Sequence, residues 1–152
     1  MIYLFEFIDK FNQHSSQRRN EINISNNQLS TSSTPIATGI SLTNIFNGIY
    51  VTINKNTIYF STTGITLQGA TGSSIKNLEI NSNVMTDLNI NASNGILVGS
   101  TNLLILGSTQ INENTISFTD TSNYNVTMVG ITYNPSTWGT SVDINDNILT
   151  NN

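Results

Sequence analysis

Few side chains in this 152-residue chain could do acid–base or ligand chemistry: one histidine, nine carboxylates, five basic residues and no cysteine. His14 stands in the polar stretch Gln13–Arg19, with no regular element to hold it against a serine or threonine nucleophile. A Ser-His or Thr-His pair needs that rigid positioning, so His14 reads as a solvated residue. Glycoside hydrolysis needs two carboxylates facing one cleft about 5–10 Å apart. Nothing in the placement of Glu6, Asp9, Glu21, Glu79, Asp87, Glu113, Asp120, Asp143 and Asp146 marks such a pair. Asp143-Ile-Asn-Asp-Asn147 sets oxygen ligands at alternate positions, like the start of a calcium loop. Its sixth position is Ile148 where that loop needs glycine, and no twelfth-position Glu follows. Gly69-Ala-Thr-Gly72 lacks the lysine and helix of a phosphate loop. The expectation is therefore no catalytic residue, no metal and no cofactor. Two groups remain. Tyr124, Tyr133 and Trp138 have flat faces suited to stacking on sugars, although ordinary core or strand packing is the commoner role of such residues. Leu4, Phe5, Ile8 and Phe11 form an apolar set near the N-terminus that could serve as an assembly contact.

The elements that must position these residues divide the chain in two. Residues 1–34 form an apolar segment followed by a polar linker arm. Met1, Leu4, Phe5, Ile8 and Phe11 fall at helical spacing and predict a short helix, while Tyr3, Phe5 and Phe7 alternate as in a strand. The segment is interrupted by Glu6 and Asp9 and is far short of the ~20 apolar residues that span a bilayer. No membrane span is expected. The net charge is −4, and Arg18–Arg19 is the only basic cluster. Nucleic-acid binding needs a positive footprint to release counterions, so it is not expected either.

Residues 35–152 read as one β-domain. The chain holds 25 Asn, 21 Thr, 18 Ser and 21 Ile against 3 Ala, and only 9% of its residues are charged. Scarce helix formers and abundant β-branched residues exclude a helical bundle. Apolar pairs such as Ile49/Val51/Ile53, Ile65/Leu67, Leu78/Ile80, Ile96/Val98 and Ile116/Phe118 recur at strand spacing between Asn-, Gly- and Ser-rich breaks. Ile53-Asn-Lys-Asn-Thr-Ile58 returns 58 residues later as Ile111-Asn-Glu-Asn-Thr-Ile116, and a shorter copy is Ile144-Asn-Asp-Asn-Ile148. Over Thr43–Gly64 and Thr101–Ser122 the gapless match has 9 identities in 22 positions. A Gly-Ile unit recurs at Gly39, Gly48, Gly64, Gly95 and Gly130 and reads as a turn leading into a strand. Asn47-Gly48 and Asn94-Gly95 are hairpin-turn dipeptides. Two architectures follow. The first expectation is an all-β antiparallel sandwich of jelly-roll type, because the irregular strand spacing disfavours a strict solenoid. The alternative is a β-helix, built by one chain or by three intertwined chains.

The stretch Thr62–Phe118 contains Thr-Thr-Gly-Ile-Thr-Leu-Gln-Gly, Asn-Leu-Glu-Ile-Asn, Asp-Leu-Asn-Ile-Asn-Ala-Ser-Asn-Gly-Ile-Leu-Val-Gly-Ser and Thr-Gln-Ile-Asn-Glu-Asn-Thr-Ile-Ser-Phe. This strand-and-turn texture resembles virion structural proteins, in particular phage tail fibres and β-rich capsid appendages. The resemblance implies a non-enzymatic oligomer, often a trimer, that contacts itself and other structural proteins of a virion. The alternative expectation is a secreted or cell-surface carbohydrate-binding or adhesin domain, with Tyr124, Tyr133 and Trp138 as its stacking residues.

Overall fold

The computed structural model describes residues 20–30, 36–44, 48–89, 94–99, 102–119 and 129–151. Each apolar run in these residues is a strand, and each strand pairs with the strand one turn of chain later. The first turn consists of β1 (Glu21–Ser25), β2 (Gln28–Leu29) and β3 (Ile36–Thr43). The second is β4 (Ile49–Asn54), β5 (Thr57–Tyr59) and β6 (Ser61–Gln68), and the third is β7 (Ser74–Asn81), β8 (Val84–Asn89) and β9 (Asn94–Val98). The fourth reaches the first sheet twice, through β10 (Leu104–Ile105) and β11 (Ser108–Asn112), before β12 (Thr115–Thr119) and β13 (Val129–Tyr133). The last turn holds β14 (Thr137–Trp138), β15 (Ser141–Asp143) and β16 (Ile148–Asn151).

Three sheets result. The first stacks β1, β4 and β7, then β10 and β11 on β7, then β14 and β15; the second stacks β2, β5, β8, β12 and β16; the third stacks β3, β6, β9 and β13. Every pairing among them is parallel. The fold is a β-solenoid completed by one chain, and the described residues contain no helix. The antiparallel jelly-roll sandwich expected from the sequence is therefore incorrect. The irregular strand spacing that favoured it is absorbed at the corners and loops, where successive turns differ in length by a few residues. Asn94-Gly95 is no hairpin turn but the opening of β9. Gly48 sits at a corner with φ 64°, where its N–H donates to the Ser74 carbonyl 3.1 Å away in the next turn. The N-terminal helix or arm lies outside the described residues. The first strand among the described residues begins at Glu21, within the stretch read from sequence as the polar arm.

Alternation explains the core. Inward residues stack in register as Ile24–Ile53–Ile80–Ile111 in the first sheet and Leu29–Ile58–Met85–Ile116–Leu149 in the second. In the third sheet the columns are Ile40–Ile65–Ile96–Ile131 and Leu42–Leu67–Val98–Tyr133. The middle members of these columns are fully buried. Like residues on like give flat, evenly spaced layers, which suits β-branched side chains on a parallel sheet.

The repeated Ile-Asn-x-Asn motif turns the chain from the first sheet into the second. Its middle residue takes a left-handed conformation at every turn: Asn26, Lys55, Ser82, Glu113 and Asp146 have φ between 55° and 59°. The following asparagines, Asn27, Asn56, Asn83, Asn114 and Asn147, point inward and form a ladder. Each Oδ1 accepts from the main-chain N–H and the Nδ2 of the asparagine one turn earlier, at 2.9–3.0 Å. From the second turn on, each Nδ2 also donates to a first-sheet carbonyl one turn back: Asn56 to Ile24, Asn83 to Ile53, Asn114 to Ile80 and Asn147 to Ile111. Asn56, Asn83 and Asn114 are fully buried, so these bonds replace the water that the amides lose. A second, outer series runs in the opposite sense, each Oδ1 accepting from the main-chain N–H one turn later: Asn54 from Asn81, Asn81 from Asn112, and Asn112 from Asn145.

Candidate functional site: the exposed last turn

A solenoid covers each turn with its neighbours, so the inward columns are exposed only where neighbours stop. In the last turn Leu149 occupies the position of the fully buried Ile58, Met85 and Ile116, yet it is 52% exposed. Ile148, Val142 and Ile144 are exposed beside it. Gly130 in β13 packs under the Leu149 side chain, and a Cβ there would overlap Leu149 Cδ2 at 1.7 Å. The face is apolar at its centre and polar at its rim, where Asp143 accepts from Asn112 Nδ2 at 3.1 Å and from Asn145 Nδ2.

Two sequence-selected aromatics meet at this end. Trp138 in β14 is 59% exposed, and its ring meets that of Tyr133 edge-on at a centroid distance of 5.6 Å. Tyr133 ends the Leu42–Leu67–Val98 column and packs against the core, with its hydroxyl 2.9 Å from Thr109 Oγ1 on the first sheet. Tyr133 thus serves packing first, whereas Trp138 presents an open face. Tyr124 lies outside the described residues, as do Leu4, Phe5, Ile8 and Phe11. Sequence reasoning missed Leu149, Ile148 and Asn147 as parts of a surface. The signal was the third copy of the motif, Ile144–Ile148, whose apolar residues need a further turn to cover them.

Burial raises the Tyr133 hydroxyl above the ordinary tyrosine value of 10.0, and the hydrogen bond with Thr109 opposes that shift in part. The folded state therefore holds this proton after the unfolded chain has released it. Stability from this residue is complete below the ordinary tyrosine range and declines as pH rises through the raised folded value. Tyr133→Phe is expected to flatten that alkaline decline, measured as the denaturation midpoint against pH. An unchanged slope would show that Tyr133 is not the group responsible.

Among the described residues no group of three or more His, Cys, Asp or Glu is close enough to hold a metal ion. No helix among them is long and apolar enough to cross a membrane. Compared with protein-family models, with curated proteins and with solved structures, the chain gives no match.

Proposed function

We propose that the protein is a non-enzymatic structural element, a stiff rod that serves as an oligomeric building block of a virion in a capsid, minor-capsid or tail-fibre position. The observation that carries this reading is the asparagine ladder, which runs through all five turns beside unbroken apolar columns. A rod fixed by internal amide bonds and like-on-like stacking resists bending and depends little on ionic strength. An outer surface of Asn, Thr and Ser in a chain with 9% charged residues fits a role exposed to varied salt and pH. The partners in this reading are other copies of the chain and other structural proteins of the particle. The test is solution mass by light scattering: assembly above the monomer supports the reading, and a monomer at every accessible concentration contradicts it.

One observation favours a second reading, a secreted or cell-surface carbohydrate-binding or adhesin domain: the exposed ring of Trp138 braced by Tyr133. Sugar stacking needs a flat aromatic face held in place. Trp138 is the only tryptophan, so its fluorescence reports directly on this site. Trp138→Ala should change folding stability by less than about 0.5 kcal/mol, as an exposed substitution does. Under the second reading the emission shifts on titration with oligosaccharides, and the Ala variant loses binding. Emission unchanged across neutral, acidic and amino-sugar oligomers contradicts it.

A further inference from the structure

We infer that the exposed last turn is a docking surface for the first turn of a second copy, stacked head to tail so that the ladder and the sheets run on from one molecule into the next. The inference rests on the structural reading above and specifies its partner, direction and register. The argument begins with the polarity of the ladder. At every turn the asparagine N–H and one Nδ2–H point forward to the Oδ1 of the next turn. Asn147 closes the series: its Oδ1 accepts from Asn114, while its main-chain N–H has no partner among the described residues. Asn27 opens it: it donates forward to Asn56, while its Oδ1 accepts nothing from a ladder asparagine among the described residues. One end offers the Asn147 N–H, with its Nδ2 donating to the Ile111 and Asn145 carbonyls, and the other offers the Asn27 Oδ1.

The main chain repeats this complementarity. The N–H groups of Thr57, Val84, Thr115 and Ile148 each reach back to a ladder-asparagine carbonyl of the turn before, at 2.8–2.9 Å. Gln28 holds the same position in the first turn, in register with Thr57, and its N–H faces away from the second turn, with no partner among the described residues. The left-handed residues Asn26, Lys55, Ser82 and Glu113 donate forward through their N–H groups, which leaves Asp146 to do so at the last turn. Setting Asn147 on Asn27 of a second copy aligns Asp146 with Asn26, which share the left-handed conformation at φ 55° and 59°. It also puts Ile144 over Ile24 and the half-exposed Leu149 over Leu29, so two apolar columns continue unbroken. Tail-to-tail pairing about a two-fold axis sets ladder donors against donors and reverses the strand direction at the junction. Ladder polarity therefore selects the head-to-tail arrangement, a heterologous contact that extends into filaments unless it is blocked. Unpaired, flat apolar edges are the surfaces on which such strand addition occurs.

The experiment uses the full 152-residue chain and two variants, each with a circular-dichroism melt to confirm folding. Leu149→Lys places a charge in the tail face, with Leu149→Ser as a second tail variant should lysine not be tolerated. Gln28→Pro removes the backward-facing N–H of the head face, a group with no hydrogen-bond partner among the described residues. A buried, unpaired lysine at the junction is expected to weaken association on the order of 100-fold or more. Light scattering should show the unaltered chain growing with concentration and each variant alone remaining a monomer. An equimolar mixture of the two variants should form dimers and stop there, because each retains one good face. If Gln28→Pro dimerises alone, the contact is tail to tail and the inference fails. If both variants assemble like the unaltered chain, and removal of residues 1–12 abolishes assembly, the contact lies in the N-terminal segment and the inference fails while the structural reading stands. If the unaltered chain never assembles, the structural reading fails with it.

Discussion

Asn83→Ala is expected to destabilise the protein by about 4 kcal/mol, because three buried polar groups lose their partners at about 1–3 kcal/mol each. Asn83 Oδ1 accepts both the main-chain N–H and the Nδ2 of Asn56, and Asn83 Nδ2 donates to the Ile53 carbonyl at 2.7 Å. Alanine leaves those two donors and that carbonyl inside the solenoid without a protein partner. The loss lies at the centre of the stack, with two turns on either side, so fraying at an end cannot relieve it. Asn27→Ala provides the contrast. Asn27 is exposed in the first turn and donates forward to Asn56 through its main-chain N–H as well as its side chain. Its replacement should cost less than about 1 kcal/mol, the net worth of an accessible hydrogen bond. Urea midpoints at constant m-value separate the two. Equal losses at the two positions would show that the ladder does not run as a continuous internal spine.

Gly95→Ala should cost about 3 kcal/mol through overpacking. A Cβ at Gly95 would stand 2.6 Å from the Gly130 carbonyl oxygen and 2.6 Å from Ile116 Cγ2. The first contact is backbone of the neighbouring turn and cannot move aside without parting β9 from β13. The same closeness recurs at Gly64, where the added carbon would meet the Gly95 carbonyl oxygen at 2.5 Å and Met85 Sδ at 2.4 Å. The glycine column thus exists because the large inward residues of the second sheet, Ile58, Met85, Ile116 and Leu149, lean onto the third. Gly72→Ala separates this steric effect from a conformational one. Gly72 has φ 85° with nothing within 4 Å of an added Cβ, so it should cost only about 1–2 kcal/mol of left-handed strain. Ile116→Ala alone opens a core cavity, but combined with Gly95→Ala the two losses should sum to less than their separate values, since one of the two clashes is removed. Strict additivity would place the whole Gly95 effect on the Gly130 carbonyl.

These two columns show how far the sequence reveals the fold. The Ile-Asn-x-Asn motif is visible at Ile53, Ile111 and Ile144, and its offset of 58 suggests two similar halves. In the structure Asn56 and Asn83 are 27 residues apart and Asn83 and Asn114 are 31 apart, so that offset is two turns of one repeat. The intermediate copy, Ile80-Asn-Ser-Asn83, is followed by Val84-Met85 where the copies at Ile53 and Ile111 have Thr and then Ile, and the first copy, Ile24-Ser-Asn-Asn27, has lost its outer asparagine. Those two departures hide a five-fold repeat. Gly39, Gly64, Gly95 and Gly130 are equally visible in the sequence, but glycine serves both turns and close packing, and only the facing column decides between them. Parallel and antiparallel strands share the same period-2 pattern. Their distinction lies in which residues face each other across turns, and loops of varying length conceal it. At the candidate site Trp138 and Tyr133 were legible as aromatics. The exposure of Leu149 and the direction of the ladder at Asn147 are properties of the stack as a whole.

The central proposal is that this short parallel solenoid has a structural role and joins end to end into rods. Concentrated full-length protein examined by electron microscopy and fibre diffraction tests it directly. The account predicts rods that lengthen with concentration and a reflection near 4.8 Å along the rod axis, the spacing of strands stacked perpendicular to it. Uniform particles of monomer size at every concentration, or rods whose strand spacing lies across the axis, would contradict it.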